Sequence, residues 1–195
     1  ACHHGPFLLW THDEAKRAGI AIDENKLSEW TQWALKNSSP QKMDKACDDD
    51  LDAHHQLRLS RSPTLLDVKT EASFRAISNH LIGRQQPDGS WIPGNRFRTQ
   101  QRRSQQESKE VTTMWSVLAL GTVEKNAAGR TKSCQKALTW LKEKRPGKSN
   151  ESQVLHLLIQ HEFGEADRKR ELLKALLGQQ NGDGGWSWMN GEASD

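Results

Sequence analysis

The sequence predicts an all-α protein built from helical hairpin repeats. Apolar side chains recur at helical spacing in one segment after another, and no segment alternates apolar and polar residues as a strand does. A helix end that runs into glycines and closes on Trp occurs twice, as HLIGRQQPDGSW at 80–91 and LLKALLGQQNGDGGWSW at 172–188. Gln86 and Gln180 are 94 residues apart (180 − 86 = 94), which is about two helical hairpins of roughly 45 residues each.

Residues 1–60 are predicted as an N-terminal helical segment. Thr11 opens a capping-box sequence, so a helix should begin there and end at Gly19. A second helix with an apolar stripe should begin at Asp23 or Asn25, because these side chains accept hydrogen bonds from the free N–H groups of a first helical turn.

The stretch CDDDLDAHHQLRL at 47–59 combines carboxylate and imidazole side chains, which are common metal ligands. His54 and His55 are adjacent, and adjacent residues on a helix point about 100° apart. The two imidazoles therefore cannot easily reach one ion, and a metal site is the less favoured interpretation of this stretch.

Residues 61–195 are predicted as a run of paired helices. Their apolar positions fall at helical spacing, and the breaks between them coincide with Gly and Pro. The segment at 110–120 is apolar or small at nearly every position after Thr113, so we expect this helix to lie inside the protein. The predicted helices span 64–85, 110–120, 131–144, 151–163 and 165–177.

The repeated turn uses residue types that suit a helix exit. Glycine adopts the positive φ angles of a tight turn, Asp accepts hydrogen bonds from turn amides, and Trp covers the turn while its indole N–H finds a partner. Two unrelated glycine-rich turns are the alternative interpretation. The motif residues are Gln86, Gly89, Trp91, Gln180, Gly184, Gly185 and Trp186.

This Gln, Gly and Trp pattern resembles the QW motif of squalene-hopene cyclases and other terpenoid cyclases, whose α-α toroid fold is shared with protein prenyltransferase β subunits. The resemblance implies that residues 61–195 form a partial α-α toroid, that is, a partial α/α barrel, and that the chain is a fragment truncated at its C-terminus. It also implies a cyclase-like domain with an apolar central cavity, an isoprenoid or other apolar small molecule as ligand, and membrane association through the full-length protein.

The acid motif of the cyclases is not matched in this chain. Its inner helix resembles the segment that begins at Thr113, and on that register the aspartate positions carry Lys109, Val111 and Thr112. We therefore expect no catalytic acid here and no zinc ligation of the prenyltransferase type. The candidates for lining the cavity are Glu110, Thr113, Trp115 and Asp195, the last at the expected start of the next inner helix.

The N-terminal residues resemble part of a haem attachment motif. Cys2 and His3 would complete a Cys-x-x-Cys-His sequence if another Cys lay two positions before Ala1. Cyclase-like bacterial proteins of planctomycete type combine such a motif with QW-type repeats. The resemblance implies haem c attached at Cys2, haem iron bound by His3 as the only metal, and a periplasmic or other extracytoplasmic location. An incidental Cys-His pair in a loop is the alternative.

The overall charge gives little indication of a partner. A net charge of +3 does not predict nucleic-acid binding. The leading hypothesis is therefore a squalene or terpenoid cyclase-like domain without its own catalytic acid. The alternative is a non-catalytic helical-repeat module that binds an isoprenoid, a peptide or a partner protein. An aspartate on a cavity-lining helix beyond Asp195 would favour cyclisation, and the sequence does not specify an oligomeric state.

Overall fold

A computed structural model describes residues 4–37, 68–93, 103–122 and 128–194. Within these ranges the chain forms seven helices and one isolated β-bridge and contains no strand, which confirms the predicted all-α class. The helices are α1 (His4–Arg17), α2 (Glu24–Asn37), α3 (Val68–Arg84), α4 (Gln105–Thr122), α5 (Ala128–Lys142), α6 (Asn150–Phe163) and α7 (Ala166–Leu177).

The first helix, α1, begins at His4, well before the predicted capping box. Thr11 therefore lies inside the helix, and the prediction of a helix start at Thr11 is wrong. Pro6 falls in the first turn, where a missing backbone N–H removes no helical hydrogen bond, so the helix can begin before it. The start of α2 is as predicted, because the Asp23 carboxylate accepts a 3.1 Å hydrogen bond from the backbone N–H of Lys26.

Helices α1 and α2 form a hairpin joined by a turn at Gly19, whose φ of 76° lies in the left-handed region. Leu9 and Leu27 are buried between the two helices. Trp10 also packs against the main core and meets the ring of Trp115 edge-on, with the ring centroids 5.9 Å apart. An aromatic contact therefore attaches the N-terminal hairpin to α4.

Helix α4 is the most buried helix of the described structure. Every residue from 111 to 120 is buried, and α5 and α6 both pack against this helix. Met114, Leu118 and Leu120 are at most 1% exposed. Burial of each such side chain contributes about 1.5–3 kcal/mol. The prediction that this helix lies inside the protein is confirmed.

Helix α6 packs against both α4 and α7, whereas α7 itself has no buried residue. The hydroxyl of Ser149 caps α6 by accepting a 3.2 Å hydrogen bond from the backbone N–H of Ser152. Glu107 of α4 holds this cap, because its Oε1 accepts hydrogen bonds from the backbone N–H and the hydroxyl of Ser149 over 2.9 and 2.6 Å. The isolated bridge joins Ser149 to Met189, so the chain after α7 returns to the start of α6.

The helices differ in hydrophobicity, but none of those in the described ranges combines the length and the apolar character that crossing a membrane requires. The arrangement that places the candidate sites is therefore a helical core around α4. The α1–α2 hairpin is attached to that core, and α7 lies on its outer side against α6.

Candidate functional site

The two glycine-rich turns have the same hydrogen-bond pattern. The first turn comprises residues 85–91 and the second turn comprises residues 180–186. In both turns the backbone N–H of the second residue donates to the carbonyl of the sixth residue, and the N–H of the fifth residue donates to the carbonyl of the second. The leading Gln donates from Nε2 to the fifth carbonyl, over 2.8 and 2.6 Å. The closing Trp donates from Nε1 to a helix carbonyl, over 2.8 and 3.0 Å. The equivalent pairs are Gln85 and Gln180, Gln86 and Asn181, Asp88 and Asp183, Gly89 and Gly184, Ser90 and Gly185, and Trp91 and Trp186.

These hydrogen bonds define the register between the turns. Gln180 is equivalent to Gln85 and not to Gln86, because it is the Gln85 side chain that donates to the turn carbonyl. The turns are 95 residues apart (180 − 85 = 95), so the predicted pairing at 94 residues is wrong by one position. Two glutamines are adjacent in both copies, which made both registers compatible with the sequence. The spacing of Trp91 and Trp186 (186 − 91 = 95) is the signal that distinguishes them.

Each turn contains a glycine with positive φ, which is 96° at Gly89 and 84° at Gly184. Glycine adopts such angles without the steric strain of a Cβ atom. A Cβ on Gly89 would lie 2.7 Å from the backbone oxygen of Lys136, so this turn passes directly against α5. A Cβ on Gly184 would meet nothing closer than the Gln180 side chain at 4.0 Å. The turns therefore share a conformation and differ in their surroundings.

An aspartate carboxylate stabilises each turn from within. The Oδ1 atoms of Asp88 and Asp183 accept hydrogen bonds from the backbone two residues later, over 3.0 and 2.9 Å. Partial burial alone would raise the pKa of Asp88, but hydrogen bonds from Lys109 and Ser90 hold this pKa well below its usual value. The pKa of Asp183 is lowered, chiefly by its hydrogen bond from the Gly185 N–H. The predicted motif residues do not include these aspartates, although each directly precedes a motif glycine.

Helices α4 and α5 cover the first turn. The Nζ atom of Lys109 donates to Oδ2 of Asp88 over 2.9 Å. The backbone N–H of Trp91 donates to the hydroxyl of Thr113 over 3.0 Å, and the Trp91 side chain is fully buried. From α5, the hydroxyl of Ser133 donates to Oε1 of the leading Gln over 2.8 Å. Three polar groups of the first turn are thus satisfied by the two covering helices.

The second turn has no equivalent cover among the residues that the structure describes. The corresponding polar groups are Oδ2 of Asp183, the backbone N–H of Trp186 and Oε1 of Gln180. None of the three has a hydrogen-bond partner in the described ranges. The segment after α7 contributes one contact, a 2.8 Å hydrogen bond from the hydroxyl of Ser194 to Oδ1 of Asp183. The second turn therefore presents three groups that its counterpart uses to bind helices.

The apolar residues beside the first turn are also more buried than their counterparts beside the second turn. Leu81 is fully buried, and Ile82 packs against the main core. Their counterparts in α7 are Leu176, which is partly buried, and Leu177, which is 53% exposed. Leu173, one helical turn earlier, is 43% exposed. The "α7 face" below denotes Leu173 and Leu177 of α7 together with Gln180, Asp183 and Trp186 of the second turn.

The described candidates for cavity lining are buried in contacts with other side chains. Glu110 accepts a 2.8 Å hydrogen bond from Nε2 of Gln106, and Trp115 donates from Nε1 to Oε1 of Glu151 over 2.9 Å. Thr113 supports the first turn. The three candidates do not line the pocket described below, and a role in a central cavity stays a prediction for each.

Several predicted residues lie outside the described ranges. They are the haem candidates Cys2 and His3, the cavity candidate Asp195, and the Asp-rich stretch at 47–59. Haem attachment and haem iron ligation by His3 therefore stay predictions. Within the described part of the chain, no group of three or more His, Cys, Asp and Glu side chains is placed to hold a metal ion.

A pocket of about 460 Å³ opens between α4, α5, α6 and α7. Each of the four helices contributes an apolar side chain to its wall, and cationic side chains stand beside them. The apolar residues used below are Met114, Leu141, Ile159, Phe163 and Leu172, and the charged residues are Lys142, Lys144, Glu165 and Arg168.

His156 of α6 lines this pocket and is only 8% exposed. Its Nε2 atom is buried and has no hydrogen-bond partner among the described residues. Burial and the positive charge of Arg168 lower the pKa of His156 to about 4, so the imidazole is neutral at neutral pH. His156 is not among the residues predicted from the sequence, because it lies inside the apolar run VLHLLI at 154–159. Its one signal there is a single polar residue on an apolar helix face.

No protein-family model, curated protein or solved structure matches this chain. The sequence resemblance to the cyclases thus stays a prediction. The two features of the chain that bear on its function are the α7 face and the pocket beside His156.

Proposed function

We propose that the chain is a helical-repeat binding module whose α7 face binds a helical hairpin of a partner protein. The observation that carries this proposal is that the same turn occurs twice, and that the described residues cover only the first copy with helices. Around the first turn, α4 and α5 satisfy three polar groups and bury the adjacent leucine. Within the described ranges the α7 face presents the equivalent groups without such cover, so a hairpin with the chemistry of α4 and α5 would complement it.

The first turn indicates which side chains this partner needs. Its first helix would carry a lysine near its start and a hydroxyl residue four positions later, as Lys109 and Thr113 do in α4. The lysine would pair with Asp183, and the hydroxyl oxygen would accept a hydrogen bond from the backbone N–H of Trp186. Its second helix would place a serine against the Gln of the second turn, as α5 does at the first turn.

An apolar stripe on the partner would cover Leu173 and Leu177. These two leucines are one helical turn apart and therefore lie on the same side of α7. Their burial would supply most of the binding free energy, at about 25 cal/mol for each Å² of apolar surface removed from water. Hydrogen bonds to the three polar groups of the second turn would fix the orientation of the partner, because a polar group left unpaired in a buried contact is unfavourable.

Successive hairpins joined through such turns would produce the α-α toroid that the resemblance implies, and we propose this arrangement for residues 61–195. Cyclase activity, by contrast, rests on the resemblance alone. The aspartate positions of the acid motif carry Lys109, Val111 and Thr112, and Lys109 is engaged with Asp88. Binding is therefore the function that the geometry supports best.

The test uses a synthetic peptide of residues 105–142, which contains α4 and α5, titrated into the intact chain and followed by calorimetry. We expect a dissociation constant on the order of 10–100 μM, because the peptide must order its helices when it binds. Asp183→Asn should weaken binding about fivefold, since it removes the charge opposite the lysine while it keeps the side-chain shape. A peptide with Lys109→Met and Thr113→Val should bind more weakly still.

The matched control is Asp88→Asn, which changes the equivalent carboxylate in the turn that is already covered. This variant should bind the peptide with the affinity of the parent chain. A loss for Asp88→Asn without a loss for Asp183→Asn would indicate that the peptide replaces α4 and α5 at the first turn and would contradict the proposal. Absence of binding at millimolar peptide would contradict it as well.

A further inference from the structure

We infer that the pocket between α4, α5, α6 and α7 binds a small molecule with an apolar body and an anionic headgroup. The pocket is distinct from the α7 face, because its lining residues on and beside α7 are Gly164, Glu165, Arg168 and Leu172, none of which belongs to the α7 face. Its volume of about 460 Å³ is within the usual range of small-molecule sites, about 300–1,000 Å³.

The wall of the pocket suits an apolar ligand body. Met114, Leu141 and Ile159 belong to the main core and are nearly fully buried. They are therefore held in place by their neighbours and form the floor of the pocket. The apolar surface that a ligand can contact includes Phe163, which is 40% exposed, and Leu172 of α7, which is partly buried.

The charges around the pocket favour an anion. The lining contains the three cations Lys142, Lys144 and Arg168 and a single carboxylate, that of Glu165. With Glu171, which pairs with Arg168 from outside the lining, the local charge is +1 (3 − 2 = 1) when His156 is neutral. The guanidinium group of Arg168 binds carboxylate or phosphate oxygens in a two-pronged geometry. This positive charge lies next to an apolar wall, which is the combination that an anionic amphiphile requires.

The existing contacts of these cations leave them available. Arg168 pairs with Glu171 over 2.8 Å, but both side chains are more than half exposed, and pairs of this kind are weak. The Nζ atom of Lys144 lies 4.9 Å from the centroid of the Trp140 ring, which is not part of the pocket lining. Both cations can therefore turn toward a headgroup without breaking a buried interaction.

His156 provides the polar group inside the pocket. A buried ring nitrogen without a hydrogen-bond partner is unfavourable, and a ligand oxygen reached by a rotation of the ring would supply that partner. The charged groups that line the pocket around it are Lys142, Lys144, Glu165 and Arg168. Burial is the larger cause of the low pKa of His156 and the positive charge of Arg168 is the smaller one. An anionic headgroup beside Arg168 would offset the second cause, so binding should raise this pKa.

The experiment measures binding of decanoate, decyl phosphate and decanol to the full chain by calorimetry at neutral pH. We expect the two anions to bind at least about tenfold more tightly than decanol, because only they engage the cations. Tighter binding of decanoate would assign a fatty-acid-like ligand, and tighter binding of decyl phosphate would assign a phosphorylated lipid. Both results support the proposal, whereas equal binding of decanol or no binding of either anion would overturn it.

Arg168→Ala and Arg170→Ala form a matched pair of variants. Both arginines are exposed, both lie on α7, and each pairs with a carboxylate three residues away, but only Arg168 lines the pocket. Arg168→Ala should weaken anion binding about tenfold and leave decanol binding unchanged, while Arg170→Ala should change neither. Equal losses of anion affinity in the two variants would show that the headgroup does not contact Arg168 and would overturn the site.

The His156 ring provides an independent spectroscopic measurement. A pH titration of its proton resonances by NMR should give a pKa near 4 without ligand and a higher pKa with saturating decyl phosphate, which remains an anion at that pH. An unchanged pKa at His156 together with bound decyl phosphate would place the headgroup elsewhere and overturn the proposal.

Discussion

In the first turn Trp91 is fully buried, whereas in the second turn the equivalent Trp186 is only partly buried. The hydrogen bonds inside the two turns are the same, so this difference comes from what lies outside them. Around the first turn, α4 and α5 contribute a lysine, a threonine and a serine. Around the second turn, the described part of the chain contributes no helix of this kind.

The comparison separates two sources of stability. The turn itself is local, because every hydrogen bond that defines it joins residues at most 10 positions apart in the sequence. The cover is not local, since Ser133 lies 48 positions after the Gln that it contacts. A change in the first turn therefore affects a packed interface as well as a loop, and the same change in the second turn affects the loop almost alone.

The largest difference should come from truncating the tryptophans. Trp91→Ala removes a fully buried ring and should lower the free energy of unfolding by about 3–5 kcal/mol. Trp186→Ala removes a partly exposed ring and should lower it by about 1–2 kcal/mol. Urea denaturation followed by circular dichroism measures both values, since it does not depend on the tryptophans as probes.

If Trp91→Ala does not fold, Trp91→Phe gives a milder version of the test. It keeps an aromatic ring but leaves the carbonyl of Leu81 without its 2.8 Å hydrogen bond from the indole, at a cost of about 1–3 kcal/mol. Trp186→Phe should cost less, because water can reach the partly exposed site. Equal costs in the two turns would show that cover does not determine their stability.

Alanine substitution of the turn glycines should give the next largest difference. Gly184→Ala should cost about 1–2 kcal/mol, the price of a side chain at positive φ. Gly89→Ala should cost more than that, because its new Cβ would also press on the backbone of Lys136. The control is Gly83→Ala in α3, where a Cβ meets nothing and should stabilise the helix by about 0.5–1 kcal/mol. Thermal unfolding of the three variants ranks them, and a larger loss at Gly184 than at Gly89 would reverse the comparison.

The smallest difference should be electrostatic and should depend on pH. The pKa of Asp88 is lowered in the folded chain, so its carboxylate stabilises the fold above the unfolded value of 3.8 and loses this effect as the pH falls below 3.8. Asp88→Asn should therefore cost about 0.5–1 kcal/mol at pH 7, an amount that allows for the solvent exposure of the pair with Lys109, and less at pH 3. Asp183→Asn should have a smaller effect, because this carboxylate has no cation partner in the described ranges. Urea midpoints at both pH values test this, and an equal cost of Asp88→Asn at pH 3 and pH 7 would contradict it.

Much of the secondary structure could be predicted from the sequence, because helix signals are local. Asp23 caps α2 as its side chain indicates, Gly19 ends the first hairpin turn, and the apolar run after Thr113 is buried. The start of α1 was missed, because a capping box at Thr11 gave a stronger local signal than the proline that the first turn actually contains. The 94-residue register was wrong for a similar reason, since two adjacent glutamines offer the same local chemistry. The 95-residue spacing of Trp91 and Trp186 and the hydrogen bonds of the glutamines select the other register.

The candidate sites were less predictable. Both turns can be recognised in the sequence, but the covering of the first turn by α4 and α5 cannot. Lys109, Thr113 and Ser133 carry no local signal for it, because they contact the turn only in the folded chain. His156 is a similar case. Its neighbours in sequence are apolar, and its relation to Arg168 exists only after α6 and α7 pack together.

By itself, the sequence determined the helical class, the approximate helix ends and the presence of two like turns, because helical periodicity, capping residues and glycine turns act over a few neighbouring residues. The tertiary structure decided the burial of Trp91 and the exposure of the α7 face. It also decided the pocket beside His156. These features depend on which helices pack together, and packing brings residues into contact that are far apart in the chain.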